Sequence, residues 1–355
     1  MPLFDTVAAT PALLIDHDVL DRNIERMAMS VRTRGVTLRP HAKTHKCPDI
    51  ARLQIAAGAA GLTVATVSEA EVFADAGFGD LFVAYPLWVD AARGARLTAL
   101  AERARVTAGI DSAEGARALA RHAGTAIEVL VEIDSGHHRT GVAPGRADAV
   151  ATAATAVGLT VAGVFTFPGH SYGPGKPVVA ASDEAAALRT AADSLRGAGI
   201  EPRIVSGGST PTAHLDTSAT ELRPGVYVFG DAQQLELGTI TEAEVALTVL
   251  ATVVSARDGV VVLDAGSKSL GADRASWATG YGRILGVPDA RITALSEHHA
   301  TVGWPDHVPR PGLGARVQVI PNHVCNAVNL ADELVVVRGG AVVDHWPVAA
   351  RGCTV

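Results

Sequence analysis

At 355 residues the chain is too long for a typical single core, so two domains are expected unless one is a large α/β barrel. Its 30 Lys plus Arg against 37 Asp plus Glu give a net charge of −7, and an acidic balance argues against nucleic-acid binding, which needs a basic footprint. The hydrophobic fraction of 48% suffices for a substantial core, and three widely spaced cysteines, Cys47, Cys325 and Cys353, read as reduced thiols of a cytoplasmic protein, not as a disulfide framework.

In chain order, the N-terminal MPLFDTVAATP lacks a basic stretch followed by an apolar one, so no signal peptide is expected. From about residue 36 to 230, short β-rich runs alternate with Ala-rich amphipathic stretches. The strand-like runs are 36–41, 61–66, 80–85, 105–110, 127–133, 159–165, 203–208 and 226–230. Between them SEAEVFADAG (68–77) carries a capping box from Ser68 to Glu71 and ends at Gly77. In 183–199, Leu188, Ala191, Ala192 and Leu195 share one helical face, and glycines close the segment. Strands alternating with helices predict parallel βα units, and eight such units predict a (β/α)8 TIM-type barrel. A doubly wound open sheet is the structural alternative. After about residue 236 the pattern turns strand-rich, with hairpin turns at RDG (257–259) and RGG (338–340). The expected fold is α/β, with a barrel over 12–235 and a mostly β second domain over 236–355 joined by segment 1–11. The longest apolar run, VALTVLATVV (245–254), is about half of a membrane span and suits a buried strand.

A barrel places function at the C-terminal ends of its strands. Those ends hold His41, Lys43, His45, Asp134, Arg139, His170, Tyr172, Ser206 to Thr210, and Tyr227. Lys43, in RPHAKTHK (39–46), follows the first strand. A lysine in a barrel mouth is partly desolvated, which lowers its pKa and makes it a nucleophile able to form a Schiff base. The bland alternative is a solvated surface loop. In PNHVCNAVNL (321–330), His323 and Cys325 lie two apart, which on a strand puts imidazole and thiol on one face, a donor pair that suits zinc.

RPHAKTHK resembles the cofactor-lysine motif of the fold-type III pyridoxal-phosphate (PLP) enzymes, in the D-serine dehydratase / D-threonine aldolase family with its alanine racemase-like barrel. The resemblance covers nearly the whole chain. It runs from TPALLIDHDVLDRNI (10–24) through TVATVSEAE, EIDSGHHRTGV, GHSYG, SGGSTPT, RPGVYVFGD and DAGSKSL to PNHVCNAVNL. It implies a covalent cofactor link at Lys43 and a phosphate cradle at Ser206, Gly207, Gly208, Ser209 and Thr210, with Tyr227 nearby. Arg139 is then the arginine approaching the cofactor ring oxygen. His170 and Tyr172 either stack on the ring or act as acid or base near the substrate hydroxyl. Which of His137, His138 and His170 points inward stays open. His323 and Cys325 correspond to the family's divalent-metal pair, H-x-C in the dehydratases and more often H-x-D in the aldolases. The metal is Zn2+ or another divalent cation such as Mn2+ or Mg2+. SEHHATV (296–302) departs from the expected SEEHG, keeping Glu297 and His299 but substituting His298. The implied protein is a homodimeric lyase acting on a small D-amino acid, without nucleic-acid or membrane partners. A D-serine or D-3-hydroxyaspartate dehydratase leads, because of Cys325, and a D-threonine aldolase is the alternative. A racemase or a non-catalytic PLP-binding protein is less favoured.

Overall fold

In the computed structural model, β1 (Ala12–Asp16) runs directly into α1 (His17–Thr33). Strand and helix then alternate. The series is β2 (Thr37–Leu38), α2 (Pro48–Ala56), β3 (Leu62–Val64), α3 (Val67–Asp75), β4 (Asp80–Pro86), α4 (Ala91–Ala101), β5 (Arg105–Ile110), α5 (Ala113–Ala123), β6 (Glu128–Glu132), α6 (Ala147–Ala156), β7 (Val161–Phe165), α7 (Pro177–Gly197), β8 (Ile204–Gly207) and β9 (Glu221–Leu222). The structure describes Val7 and residues 9–355; residues 1–6 and 8, part of the N-terminal segment read above for a signal peptide and joined to the β domain, lie outside it.

Eight strands form one parallel sheet in the order β2-β9-β8-β7-β6-β5-β4-β3. A parallel bridge between His41 and Thr63 joins its first strand to its last, so the sheet closes as the strand–helix alternation predicts. The central strands are buried on both faces, which is why they read as unbroken apolar runs. Inside, the Phe82 and Phe165 rings meet edge-on at 5.0 Å and pack with Leu130 and Ala162.

Seven of the eight predicted runs are strands of this sheet, and the eighth needs correction. Val226–Val228 is a single 3-10 turn, and the eighth strand is the two-residue β9. Its ladder stops there because Pro224, immediately after Arg223, has no N–H to donate. The capping box also shifts. Thr66, not Ser68, caps α3: its hydroxyl accepts the Glu69 N–H at 3.0 Å, while the Glu69 carboxylate accepts from Ala65 N–H. Asp90 and Ser112 cap α4 and α5 in the same way. On α7 the predicted face is the buried one.

The rest of the chain adds α8 (Ala232–Glu236), β10 (Leu247–Arg257), β11 (Val260–Leu263), α9 (Ser267–Leu270), β12 (Gly282–Ile284), β13 (Val287–Leu295), β14 (Ala300–Gly303), β15 (Arg316–Pro321), α10 (Val324–Leu330), β16 (Glu333–Arg338) and β17 (Ala341–Pro347). Their sheet has the order β11-β14-β13-β12-β15-β10-β1-β16-β17, and an additional β10–β11 pairing closes its first six strands into a ring. β1 lies between β10 and β16, antiparallel to one and parallel to the other. The predicted hairpins are present, with Gly259 at φ 66° and Gly339 and Gly340 at φ 57° and 81°, values that favour glycine. The run 245–254 falls mostly within β10. By contacts, the chain separates into a barrel unit (27–43, 51–225 and 353–355) and a β-rich unit (up to Arg26, Thr44–Ile50 and Val226–Gly352). No helix among the described residues is long and apolar enough to cross a membrane.

Candidate active site

β2 delivers RPHAKTHK to the C-terminal end of the barrel sheet. Past Leu38 the chain stays extended to His41, then coils into one 3-10 turn over Ala42–Thr44. His41 holds that turn: its Nδ1 accepts the backbone N–H of Lys43 at 3.4 Å. Lys43 is half-buried, with its ammonium 5.6 Å from the centre of the Phe167 ring. The Arg139 guanidinium stands 5.4 Å from the same ring centre, so two cations share one aromatic face system. Both line a cavity of about 330 Å³ together with His41, Tyr85, Thr140, Phe167, Gly208 and Arg223. The described lining carries the cations Lys43, Arg139 and Arg223 and no carboxylate. Such a wall favours an anionic small molecule.

The other predicted residues are distributed around this cavity unevenly. Gly208 lines it, at φ +83°, and a Cβ there would lie 2.7 Å from Leu222. At Gly207 a Cβ would meet the Glu184 carboxylate at 2.4 Å. Ser206 turns its hydroxyl to Glu221, donating at 2.6 Å, and accepts from Arg223 at 2.5 Å. Ser209 is knitted to its own loop, its N–H donating to Thr212 Oγ1 at 3.0 Å, and its hydroxyl pairs with that of Ser171 at 2.9 Å. Thr210 is buried. Tyr172 lies beside Phe167, ring centres 6.1 Å apart. Tyr227 is buried in the 3-10 turn and counts with the β-rich unit, not on a barrel strand as expected.

The three histidines now separate. His137 meets the Phe167 ring edge-on at 5.6 Å, in a space that exists because Gly169 has no Cβ: one would lie 2.5 Å from the His137 ring. Burial and the nearby Arg139 hold the His137 imidazole below its ordinary value. His138 is exposed and pairs with Asp134 at 2.6 Å. His170 packs against Gly136, with Nε2 3.4 Å from the Asp183 carboxylate but not hydrogen-bonded to it.

Sequence reasoning passed over Phe167, Arg223, Glu132 and Glu184. Arg223 follows β9 directly and is almost fully buried. Its guanidinium stacks on Phe82 and Phe165, donates to Thr166 O, and burial pulls it below its ordinary pKa. Because β9 is only two residues long, no local pattern in the sequence marked Arg223 as a strand-end residue. Glu132 ends β6 with one carboxylate oxygen lacking a hydrogen-bond partner, and burial pushes its carboxyl up against the pull of Thr140, Arg139 and Arg223.

Glu184, on α7, accepts the Gly208 N–H at 2.5 Å, and burial pushes its carboxyl up to about 7. Between the ordinary value of 4.5 and about 7, the folded protein therefore holds a proton that the unfolded chain has released. Stability falls as pH rises through that window, by about 3 kcal/mol for this one group, and levels off above it. Glu184→Gln keeps an acceptor for Gly208 and removes the titration. Urea unfolding of the cofactor-free protein at pH 5 and pH 8 should show the variant gaining on the parent at pH 8. An equal gap at both pH values would contradict this.

The second cluster lies in the β-rich unit. The strand expected through PNHVCNAVNL ends at Pro321, His323 is extended, and Cys325 sits in the first turn of α10. The two side chains are nevertheless in contact, brought together by a strand-to-helix corner instead of strand alternation. Asp231 builds the corner, accepting the N–H of Val324 at 3.2 Å and of Gln234 at 2.9 Å. Burial pushes the Asp231 carboxyl up to about 6. Cys325 Sγ lies 3.4 Å from the hydroxyl of Thr44, the residue after Lys43 in sequence. Asp273 is hydrogen-bonded to His323 Nδ1. Imidazole and thiol in contact suit a borderline-soft divalent ion, and two protein donors leave positions for water or substrate. No group of three or more such ligands occurs among the described residues. SEHH forms the exposed turn between β13 and β14, where Glu297 pairs with Lys268 at 2.7 Å.

Residues 15–233 match the alanine racemase N-terminal domain, and residues 246–337 match a putative serine dehydratase domain. The chain belongs to the fold-type III PLP family. Within it, a D-threo-3-hydroxyaspartate dehydratase of Delftia sp. is 37% identical over 349 residues, covering 89% of this chain and 90% of that protein. A D-threonine aldolase of Arthrobacter sp. is 36% identical over 361 residues, covering 97% and 93%. The solved Delftia dehydratase superposes with a TM-score of 0.89 at 33% identity, covering 98% of each chain. Two further solved structures of a D-threo-3-hydroxyaspartate dehydratase carry alanine for a histidine and for a cysteine two positions later, and the cysteine variant is in the metal-free form. This fold-type III PLP protein is thus a lyase, with both a dehydratase and an aldolase among its relatives. The cavity fits the family's cofactor on its own evidence: a lysine, two arginines, an aromatic ring and a glycine without room for a Cβ surround a space of small-molecule size.

Proposed function

We propose that the protein is a metal-dependent dehydratase of D-3-hydroxy amino acids, such as D-serine or D-3-hydroxyaspartate, releasing a keto acid and ammonia. The observation that carries this is the contact between His323 and Cys325, an imidazole–thiol pair at the spacing of the two residues replaced in the D-threo-3-hydroxyaspartate dehydratase variants. A D-threonine aldolase is the second reading, favoured by the Arthrobacter relative.

PLP, held by Lys43 with Arg139, Arg223 and the 206–210 loop around it, would supply an electron sink for the substrate Cα. A divalent ion held by His323 and Cys325 would supply a Lewis acid for the substrate β-oxygen. The thiol donor favours Zn2+ over the hard ions Mn2+ and Mg2+. The chain's own residues do the rest. Lys43 Nζ takes the Cα proton, and His41 keeps its turn in place by accepting the Lys43 N–H. Phe167 lies against both Lys43 and Arg139 and holds the two cations on one ring. Tyr172, beside Phe167, and His170, on the same loop after β7, would serve the ring or the substrate hydroxyl. In the dehydratase outcome the Cα–H and Cβ–OH bonds break and hydrolysis frees ammonia. In the aldolase outcome the β-hydroxyl loses its proton, Cα–Cβ breaks, Cα takes up a proton, and glycine and an aldehyde leave. We take the protein to be cytoplasmic, in line with the odd number and wide spacing of its cysteines, and a homodimer like the family it resembles.

The test incubates protein loaded with PLP and zinc with D-serine, D-threonine and D-3-hydroxyaspartate. Keto acid plus ammonia, lost on chelation, is the expected result. Glycine plus aldehyde would make the protein an aldolase. Neither product, with the cofactor's visible band intact, would overturn both readings.

A further inference from the structure

The His323–Cys325 corner leaves one group unexplained. Asp273 is fifty residues from His323 in sequence, yet its Oδ2 sits 2.5 Å from His323 Nδ1. Asp273 is held on more than one side. Its backbone carbonyl accepts from Asn322 Nδ2 at 3.1 Å, and its carboxylate also takes a hydrogen bond from the Asn326 side chain. The chain reaches this position through Gly271, at φ +74°, where a Cβ would lie 2.9 Å from Asn326 Cβ. A residue with a side chain could not pass so close to α10. The residues on either side of His323 and Cys325 therefore clamp Asp273, and Asp273 in turn fixes the His323 ring.

We propose that Asp273 is a positioning residue for the metal pair: it takes the Nδ1–H of His323, so that the Nε2 lone pair and the Cys325 sulfur are presented together to one divalent ion. The inference rests on the assignment of His323 and Cys325 as the metal-holding pair. A neutral imidazole has one N–H and one lone pair, and the partner of the N–H decides which nitrogen binds metal. A carboxylate at Nδ1 settles that choice before the ion arrives and makes Nε2 a better donor. It also restricts ring rotation, which an exposed histidine otherwise retains; His323 and Asp273 side chains are 34% and 43% exposed. The same imidazole also interacts with the Cys325 side chain.

The experiment measures zinc affinity, not turnover. The full-length, PLP-loaded protein is stripped of metal and titrated with Zn2+ against a chromophoric chelator. Asp273→Ala is expected to bind zinc roughly 10–100-fold more weakly, and Asp273→Asn, which keeps an acceptor for Nδ1–H but not the charge, should fall between it and the parent. Cobalt at saturation should still give both variants a thiolate-to-metal absorption band, because Cys325 remains a ligand. Asp273→Asn also serves if the alanine variant fails to fold. Parental zinc affinity in both Asp273 variants, with binding lost in His323→Ala, would overturn the inference alone. Zinc affinity unchanged in His323→Ala and Cys325→Ala as well would overturn the metal pair and the inference together.

Discussion

Replacing Lys43 by alanine is expected to cut turnover by about 10³-fold or more and to abolish borohydride trapping of PLP on the chain. On the proposed reading one nitrogen does two things in sequence: it holds the cofactor covalently and then carries the Cα proton. Loss of either function is severe, and the variant loses both. Lys46 offers no substitute, since it is buried with its ammonium 3.2 Å from the Ala350 carbonyl. Lys43→Arg separates the contributions. It retains a cation against Phe167, but a guanidinium neither forms the covalent link nor gives up its proton near neutral pH. It should therefore bind PLP non-covalently while remaining as inactive as the alanine variant. Turnover within tenfold of the parent in Lys43→Ala would remove Lys43 from the chemistry.

The second large effect belongs to the scaffold. Gly163→Ala is expected to destabilise the protein by about 3 kcal/mol or more, read as a lowered denaturant midpoint. Gly163 lies on β7 where the register with β6 slips between the Val129–Val161 and Leu130–Gly163 pairs. Its φ is +150°, and a Cβ built on it would fall 1.8 Å from the Ile204 carbonyl oxygen of β8. That oxygen belongs to a sheet strand and has no freedom to retreat. Gly79→Ala is the matching control, since nothing lies within 4 Å of a Cβ there and its φ is not positive. It should stay within about 0.5 kcal/mol of the parent. Equal midpoints for the two variants would show that β7 and β8 separate more easily than their pairing implies.

What the sequence revealed and what it hid follow from the range of the interactions involved. The buried face of α7 and the Asp258-Gly259 and Gly339-Gly340 turns are local, and residue spacing alone located them. Lys43 and Arg139 were legible because each sits just past a barrel strand, and they meet on Phe167. β9 was not legible, because two residues carry no periodicity; the longer apolar run beside it, 226–230, drew the assignment instead. His323 and Cys325 were picked for their donor types, by a strand geometry that the helix start at Val324 replaces. Glu184 and Asp273 act on residues 24 and 50 positions away, and no spacing rule reaches across such gaps.

The place of β1 carries a consequence for synthesis in the cell. Ala12–Asp16 is laid down first, yet its neighbours in the sheet are β10 and β16, from the last third of the chain. At about 5–20 residues per second a ribosome needs roughly ten seconds to a minute to deliver both. The barrel strands emerge during that wait and can pair among themselves, whereas the apolar ALLI stretch has nothing to join. The nascent chain thus carries an unpaired apolar strand throughout the synthesis of the barrel strands, until β10 and β16 are available.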